Sequence, residues 1–444
     1  MSLPRYERYR DSEISLLGDV PQHWAVKRLR FVAALNPSKS EVGNLPETTE
    51  LSFLPMEAIG ERGDLDLSLT RSLGEVRSGY SYFADGDVVF AKVTPCLENG
   101  KGALMRGLVG GAGFGTTELT VVRPNRQADG PFFWWLTSSH IFRGPAEGEM
   151  IGAGGLKRVP DTFVADFLAP WPPAGERDAI AAFLDRETAK IDELVEAQRR
   201  LIELLEEKRQ AVISHAVTKG LDHSAPMRDS GVEWLGDVPA HWEVARLANV
   251  FKEFAEPLAG DLPILSVSIH HGVSDEELDE DDLERKVSRS EDRSKYKRVQ
   301  PNDLVYNMMR AWQGGFGTVL VDGGVSPAYV VARPKIAIET AFVEWVLRTP
   351  QCVEEMRTRS VGVTDFRLRL YWDEFKELRI AVPPVVEQRK ILDEIGSQVS
   401  RYQALAQAAE DAIALLVERR SALISAAVTG KIDVRATASA MVAA

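Results

Sequence analysis

Apolar residues recur at every seventh position in two long stretches of the chain, a spacing typical of helices that pack along their length. In the first stretch this stripe comprises Leu184, Ile191, Gln198, Leu205 and Val212. In the second, 211 residues further on, it comprises Ile395, Tyr402, Ala409, Leu416 and Leu423. A neighbouring seam is expected at Leu194, Leu201, Leu405 and Ala412. About forty residues per helix give a length of about 60 Å, and such a helix must bury its stripe against a partner, most simply its own repeat.

The two segments that precede these helices show alternating apolar and β-branched residues with glycine punctuation, a pattern that predicts strands and turns. Three short likenesses link the segments: DVVF at 87–90 with DLVY at 303–306, LTVVRP at 119–124 with YVVARP at 329–334, and Trp135 with Trp345. We therefore expect each segment to form one α/β globular unit on a shared fold with a diverged surface. The divergence favours two copies of one task with different specificities over a duplication in which both copies do the same job.

Each half of the chain also begins and ends alike. The opening RDSEISLLGDVPQHWAVKRL (10–29) is identical to RDSGVEWLGDVPAHWEVARL (228–247) at thirteen of twenty positions. Double prolines at 172–173 and 383–384 precede the helices, which close with EKRQAVISHAVTKGLD (207–222) and ERRSALISAAVTGKID (418–433). The chain is therefore a tandem repeat. We place the globular domains at 1–170 and 223–382 and the helical spacers at 171–222 and 383–434, and we expect a disordered tail at 435–444.

The formal net charge of −13 argues mildly against nucleic acid as a partner, because phosphate contacts call for a surplus of Lys and Arg. The charge is unevenly distributed, however. Residues 275–284 hold eight carboxylates, and residues 285–298 hold seven basic side chains. A locally basic face is thus compatible with the acidic total, and we place the acidic run away from a DNA duplex.

The sequence offers no membrane span, secretory signal or cysteine framework. There is no long apolar run, and residues 5–9 are charged and aromatic where a signal would be apolar. Cys96 and Cys352 stand far apart with no neighbouring ligand at metal-binding spacing, so neither a disulfide nor a zinc site is predicted. A cytoplasmic protein is expected.

Catalytic motifs are also missing from the sequence. Asn36-Pro37-Ser38 fails the motif of an amino-methyltransferase, and the glycine-rich strings at 110–115 and 152–155 fit turns better than nucleotide loops. A nuclease site built from Asp161 and Glu206 to Lys208 is disfavoured, because the latter residues lie within the heptad helix. His23 and His241 each precede a tryptophan, so a packing role is predicted for both.

The repeated motifs resemble those of the specificity subunits of Type I restriction-modification systems, the HsdS family. The resemblance rests on LLGDVPQHW and WLGDVPAHW, on the Pro-Pro-x-x-Glu starts of the helices, and on the AVT-KGLD and AVT-GKID closings. It covers nearly the whole chain in order. One departure is Glu176-Arg177 at the first helix start, where the second copy has the family's more familiar Glu387-Gln388.

The resemblance implies an α/β (α+β) fold with two tandem target-recognition domains, each followed by a long helix, and the two helices packed as an antiparallel coiled coil with pseudo-two-fold symmetry. Each domain would read one half of a bipartite, asymmetric site in double-stranded DNA. The helices would set the spacer and bind two modification subunits, which methylate a flipped adenine, with restriction/translocase subunits joining afterwards. The chain itself would bind no cofactor or metal and carry no catalytic residue; S-adenosylmethionine, ATP and Mg are expected on the partner subunits.

Candidates for DNA contact are basic, amide or aromatic residues in loops of the variable segments, because such side chains read base edges or bind phosphate. In the first half these are Lys92, Lys101, Arg106, Lys157 and Arg158. In the second half they are Arg310, Trp312, Gln313, Arg357, Arg359, Arg367 and Arg369. Two other functions stay open: a helical adaptor that does not read DNA, and a self-sufficient restriction or modification enzyme, against which the missing motifs count strongly.

Overall fold

The computed structural model describes residues 4–269, 272–278, 292–362 and 368–435. The chain forms two compact units, the first from Met1–Gln198 with Asp411–Ala444 and the second from Arg199–Glu410. The predicted domain boundaries follow the helices, whereas the compact units divide each long helix between them. Arg367, most of the acidic run with the first basic residues after it, and all but the first residue of the predicted tail lie outside the described residues.

Ten α-helices lie in the described part of the chain. Eight are short: α1 Leu73–Val76, α2 Gly130–Ser138, α3 His140–Gly148, α4 Asp161–Asp166, α6 Leu247–Val250, α7 Thr340–Leu347, α8 Pro350–Arg359 and α9 Trp372–Phe375. The other two are the predicted long helices, α5 Ala174–Lys219 with 46 residues and α10 Val385–Val428 with 44. At 1.5 Å per residue each is about 65–70 Å long. No helix in the described ranges is long and apolar enough to span a membrane.

Unit 1 contains two four-stranded sheets. Its strands are β1 Tyr9–Asp11, β2 Asp19–Pro21, β3 Ala25–Arg28, β4 Ala33–Leu35, β5 Glu50–Leu54, β6 Thr70–Ser72, β7 Ser81–Ala84, β8 Val88–Ala91, β9 Gly102–Leu104, β10 Ala112–Gly115, β11 Leu119–Pro124, β12 Ile151–Ala153, β13 Leu156–Arg158 and β14 Leu168–Trp171. The sheet β4-β11-β8-β9 is antiparallel, and the sheet β6-β5-β10-β7 includes the parallel pair β5 and β10. Three further pairs, β1-β2, β3-β14 and β12-β13, complete the unit.

Unit 2 repeats most of this arrangement. Its strands are β15 Met227–Asp229, β16 Asp237–Pro239, β17 Glu243–Arg246, β18 Phe251–Phe254, β19 Val267–Ser268, β20 Gly272–Val273, β21 Lys297–Val299, β22 Leu304–Asn307, β23 Phe316–Thr318, β24 Gly323–Val325, β25 Tyr329–Pro334 and β26 Arg379–Val382. The sheet β18-β25-β22-β23 has the same order as its counterpart in unit 1, and β15-β16 and β17-β26 match β1-β2 and β3-β14. The predicted mixed α/β fold on a repeated plan is confirmed.

A buried ion pair accounts for the likeness between the two segments. Arg123 on β11 donates from Nε and Nη2 to the Asp87 carboxylate at 2.6 and 2.7 Å. Arg333 on β25 makes the same paired contact with Asp303 at 2.9 and 2.8 Å. Both aspartates are fully buried, so each needs its charged partner. The motifs around these residues are therefore similar because they build the same joint in each sheet.

A second repeated cluster joins each opening motif to a long helix. In unit 1, Glu176 at the start of α5 accepts hydrogen bonds from the indole nitrogen of Trp24 (2.9 Å) and contacts His23 Nε2 at 2.7 Å. In unit 2, Glu387 at the start of α10 meets Trp242 and His241 at 3.1 and 2.8 Å. Both tryptophans are almost completely buried. The predicted packing role of the two histidines thus includes a polar contact with the helix-start glutamate.

The end of the other helix closes each cluster. In unit 1, a Cβ on Gly430 would lie 3.0 Å from the Trp24 ring, and Lys431 donates to the Asp19 carbonyl oxygen at 2.6 Å. In unit 2, a Cβ on Gly220 would lie 3.3 Å from the Trp242 ring, and Lys219 donates to the Asp237 carbonyl oxygen. A side chain larger than glycine would be crowded at both places, and both glycines also have positive φ.

The departure at the first helix start has a structural reason. Arg177 is buried and donates to both oxygens of Asp129, each at 2.9 Å. At the corresponding place in unit 2, the Gln388 side chain accepts from the Glu339 backbone N–H at 2.9 Å. A charged pair in one copy thus replaces a neutral hydrogen bond in the other, and both satisfy the buried side chain.

The predicted stripes of the long helices face inward, and the packing is antiparallel within each unit. In unit 1 the first half of α5 lies against the last part of α10, where Leu184 shares a core with Ile424 and Val428. In unit 2 the last part of α5 lies against the first half of α10, where Ala216 and Ile395 share a core.

The neighbouring seam, however, was predicted one residue too early: three of its four residues are exposed, and Ala412 is half-buried. Leu194, Leu201 and Leu405 are 51%, 43% and 45% exposed. The second inward row begins at Thr188, four residues after Leu184, and continues through Val195, Ile202, Arg209 and Ala216. In α10 it comprises Val399, Ala406, Ile413, Arg420 and Ala427. Alternating steps of three and four keep both rows on one face, so the predicted leucines fall one residue before the seam and turn outward.

Removing the helix-start carboxylate should loosen the opening motif of its unit. In Glu387→Ala the indole N–H of Trp242 loses its acceptor while remaining buried, which costs about 1–3 kcal/mol. Amide hydrogen exchange of residues 227–246, followed by mass spectrometry, should therefore become faster. Glu394→Ala on the exposed surface of the same helix is the matched control and should leave exchange unchanged. Equal exchange in the two variants would contradict the role given to Glu387.

Candidate nucleic-acid interface

An exposed β-hairpin dominates one surface of unit 1. Strands β12 and β13 pair Ile151 with Arg158 and Ala153 with Leu156, and the turn is made by Gly154 and Gly155, both with positive φ. A two-residue turn with two positive φ values matches the twist of a hairpin. Every residue from Ile151 to Arg158 is exposed. The glycine-rich string at 152–155, predicted to be a turn, therefore forms the tip of an arm that extends into solvent.

Strand β13 and the turn of this hairpin are fastened to the segment that follows β8. Thr94 Oγ1 donates to the Gly155 carbonyl oxygen at 2.7 Å, and the Thr94 backbone N–H donates to the Lys157 carbonyl oxygen at 3.0 Å. Arg158 makes a paired contact with Glu118, both distances being 2.7 Å. This hydrogen bonding holds the pKa of Glu118 below its ordinary value, and the charge of Lys92 acts in the same direction. The structure thus brings together three predicted residues, Lys92, Lys157 and Arg158.

A buried arginine supports the loop beneath the hairpin. Arg143 on α3 donates to the carbonyl oxygens of Leu97 (2.9 Å), Gly100 (2.8 Å) and Thr137 (3.1 Å). Burial lowers the pKa of Arg143 to about 10. Its three backbone contacts fix the loop between β8 and β9, which begins with Lys92.

Two other predicted residues of the first half lie elsewhere in unit 1. Lys101 is half-buried and donates to the carbonyl oxygens of Met56 and Ile59, both at 3.0 Å, so its ammonium group serves the fold. Arg106 is exposed and lies between two adjoining surface cavities of about 490 and 370 Å³. The structure does not bring either residue to the hairpin.

Unit 2 presents a related surface. Val361 pairs with Arg369 through two backbone hydrogen bonds of 2.9 and 3.0 Å. Leu370 N–H donates to the Met308 carbonyl oxygen, just as Val159 N–H donates to that of Lys92 in unit 1. Val361 is 60% exposed, and Ile151 is 71% exposed. Both units therefore place an exposed aliphatic residue opposite an arginine, next to the same backbone contact.

The remaining predicted residues of the second half lie on a short turn and the adjoining helix. Arg310, Trp312 and Gln313 share the turn that follows β22; Gln313 is exposed, and Trp312 packs against the core with no partner for its buried indole nitrogen. On α8, Arg357 pairs with Glu354, and Arg359 pairs with Glu355. Two of the arginines predicted here are therefore already engaged by neighbouring carboxylates.

Several leucines on the long helices are exposed, including Leu194 and Leu405, which were expected on the neighbouring seam. Leu194 and Leu405 correspond in the repeat, and so do Leu204 and Leu415, which are 44% and 66% exposed. Unit 1 carries Leu194 and Leu415, and unit 2 carries Leu204 and Leu405. The sequence analysis overlooked Leu204 and Leu415, although both lie off the two predicted rows at the same place in each copy.

Among the described residues, no group of three His, Cys, Asp or Glu side chains is placed to hold a metal ion. Cys352 is completely buried, and burial raises the pKa of its thiol. The features that stand out on the described surface are thus the arms, the basic residues beside them and the exposed leucines.

The fold and this surface define a class: two α/β units of similar plan in one chain, each including part of both long helices. Two curated proteins from Escherichia coli are similar to this chain. The chain is 36% identical over 197 residues to the Type I restriction enzyme EcoEI specificity subunit and 34% identical over 196 residues to the EcoAI specificity subunit. These matches cover 42% of this chain but only 32% and 33% of the relatives. No protein-family model matches the chain.

Solved structures share the fold over a longer part of the chain. The HsdS subunit from Thermoanaerobacter tengcongensis, 18% identical, covers 93% of this chain and 98% of its own length with a TM-score of 0.56. A chain from a study of complex assembly in a type I R-M system, also 18% identical, covers 92% of this chain and 98% of its own with a TM-score of 0.64. The resemblance to Type I specificity subunits, predicted from the repeated motifs, is confirmed.

Proposed function

We propose that this chain is the DNA-specificity subunit of a Type I restriction-modification complex. Its two globular domains each read one half of a bipartite, asymmetric site in double-stranded DNA. The chain carries no catalytic residue of its own and works as the recognition part of an adenine methyltransferase and restriction endonuclease. The observation that carries the proposal is the repeat itself: one architecture, built twice, with similar joints and different surfaces.

The differences between the units lie where a DNA reader would differ. The ion pairs of Asp87 and Asp303 and the clusters around Glu176 and Glu387 are built alike in both units. The segment after β8 begins with Lys92, whereas its counterpart after β22 carries Met308, Met309 and Arg310. Different side chains on the same support allow different bases to be read by one fold.

The long helices supply the second part of the proposal. Continuous helices of 46 and 44 residues suit a spacer that fixes the distance between two half-sites. The exposed leucines occur in repeat-related places, and a large exposed apolar side chain gains hydrophobic stabilisation when a partner covers it. Two equivalent surfaces suit two copies of one modification subunit. S-adenosylmethionine would then be bound by those subunits, and ATP and Mg by the restriction subunits.

The alternative is a helical adaptor that does not read DNA. It would use the same leucine surfaces but would give no role to the basic residues beside the arms. Salt dependence separates the two functions, since phosphate contacts release counterions and protein contacts of apolar type do not.

Assembly with the modification subunit should depend on the leucines. Leu194→Glu places a charge in one of the two surfaces and should reduce the complex from two modification subunits to one. Leu194→Glu/Leu405→Glu should remove both, because burying an unpaired carboxylate at an interface is costly. Native mass spectrometry of the co-expressed proteins measures the stoichiometry. Val386→Glu, at a position 67% exposed on α10 but with no leucine at its repeat position, is the control. Two bound subunits in the double variant would exclude these surfaces.

DNA binding by the assembled complex should weaken as salt increases. A complex of this chain with two modification subunits should show an affinity for duplex DNA whose logarithm falls linearly with the logarithm of salt concentration. Fluorescence anisotropy with labelled duplexes measures it, and the modification subunit alone is the control. A complex with no salt-dependent affinity beyond that of the modification subunit alone would favour the adaptor.

A further inference from the structure

The hairpin arm of unit 1 has two chemically different faces. Residues opposite each other in an antiparallel pair point to the same side, so Ile151, Ala153, Leu156 and Arg158 share one face. Ile151 is 71% exposed and Leu156 is 48% exposed, although both are aliphatic. Gly152 and Lys157 lie on the other face. One face of the arm is thus apolar with an arginine at its base, and the other face carries a lysine.

The arm contributes no buried side chain to the unit. The first buried residue after the arm is Val159, which is 2% exposed. The eight residues before it, 151–158, are all exposed. A glycine is nevertheless required at 152, because a Cβ there would lie 2.2 Å from the Leu156 carbonyl oxygen. The sequence therefore maintains a closely paired ribbon that does not serve the core, and this points to a partner outside the chain.

We infer that this arm is the element that unit 1 inserts into the major groove of DNA. The inference rests on the proposed function and names the element that carries it out. A major groove about 12 Å wide admits a two-stranded β-ribbon. Three cations, Lys92, Lys157 and Arg158, lie on the arm or on the loop beside it; Arg158 is paired with Glu118, and the exposed Lys157 is a cation available to phosphates.

The apolar face then meets base edges. Aliphatic side chains contact the C5-methyl group of thymine, which is exposed in the major groove. Ile151 and Leu156 are placed for this contact, while Lys157 on the opposite face is directed toward the backbone of the duplex. Glu118 holds the guanidinium group of Arg158 by a paired contact. This contact orients the arm and keeps the Arg158 side chain from folding over the apolar face.

The same base occurs in unit 2. Val361 lies opposite Arg369 as Ile151 lies opposite Arg158, and both aliphatic residues are exposed. Six residues separate the pair in unit 1 and seven in unit 2, GAGGLK and GVTDFRL, so the segments between the paired residues differ in sequence. Different sequences next to the same backbone pairing are what two readers of different half-sites require. Residues 363–367 lie outside the described part of the chain.

The test is a double-mutant cycle between the arms and the half-sites. The complex of this chain with two modification subunits is titrated with the duplex it methylates, and with duplexes in which one or the other half-site is replaced. Ile151→Ser/Leu156→Ser should bind the intact duplex about tenfold more weakly, the effect of losing one good base contact. Replacing one half-site should then cost this variant little, whereas replacing the other should cost it as much as wild type. Val361→Ser should couple to the opposite half-site.

Leu45→Ser/Leu69→Ser is the matched control, since these leucines are 40% and 49% exposed in the same unit. The control should bind the intact duplex as tightly as wild type, and all variants should unfold at the same temperature. The weaker binding of the other variants is then caused by the substituted residues and not by misfolding. Coupling of the Ile151/Leu156 variant to both half-sites or to neither would overturn the inference and leave the proposed function standing. If the wild-type complex itself shows no preference for the methylated motif, the proposed function fails instead.

Discussion

Each opening motif is held between the start of one long helix and the end of the other, and the rest of the architecture depends on this contact. Glu176 binds Trp24 and His23 from one side, and Gly430 lies against the same tryptophan from the other. The equivalent contacts in unit 2 use Glu387 and Gly220 around Trp242. Because the two sides belong to different helices, each globular domain is fixed to both helices, and the helices are fixed to each other within each unit.

This constraint explains which parts of the sequence repeat and which do not. The opening motif, the helix-start glutamate and the closing glycine and lysine must match one another, so they recur in both halves. In unit 1 the contact is reinforced by Asp192 on α5, which accepts from Arg420 on α10 at 3.1 Å and from Arg62 of the globular domain at 3.1 Å. Surface residues of the domains face no such demand and are available for recognition.

The repeat, the two long helices and the mixed α/β domains could be predicted from the sequence, because the spacing of apolar residues and the duplicated motifs follow from how these elements pack. Which residues of the helices face inward could not be predicted exactly. Leu194 and Leu405 fit a heptad as well as their neighbours do, and only packing shows that Val195 and Ala406 point inward instead. A leucine kept off the inward row for a partner looks the same in a sequence as one that serves the core.

The candidate surface was predictable in part for a similar reason. The search for basic residues in loops selected Lys92, Lys157 and Arg158, which the structure brings together, Lys92 on the loop after β8 and the other two on the arm. The same criterion chose Lys101, whose ammonium group is taken up by two backbone carbonyl oxygens. It overlooked Ile151 and Leu156, because exposed aliphatic residues in a short glycine-rich segment are indistinguishable from core residues until the fold shows that they contact nothing within the chain's core.

The central claim is that this chain gives a methyltransferase its sequence specificity. Single-molecule methylation mapping tests it most directly, by comparing DNA from cells that express the chain with its co-encoded modification subunit and DNA from cells that lack only this chain. The account predicts N6-methyladenine at one bipartite motif that disappears when the chain is absent. Methylation that is unchanged without the chain would contradict the account.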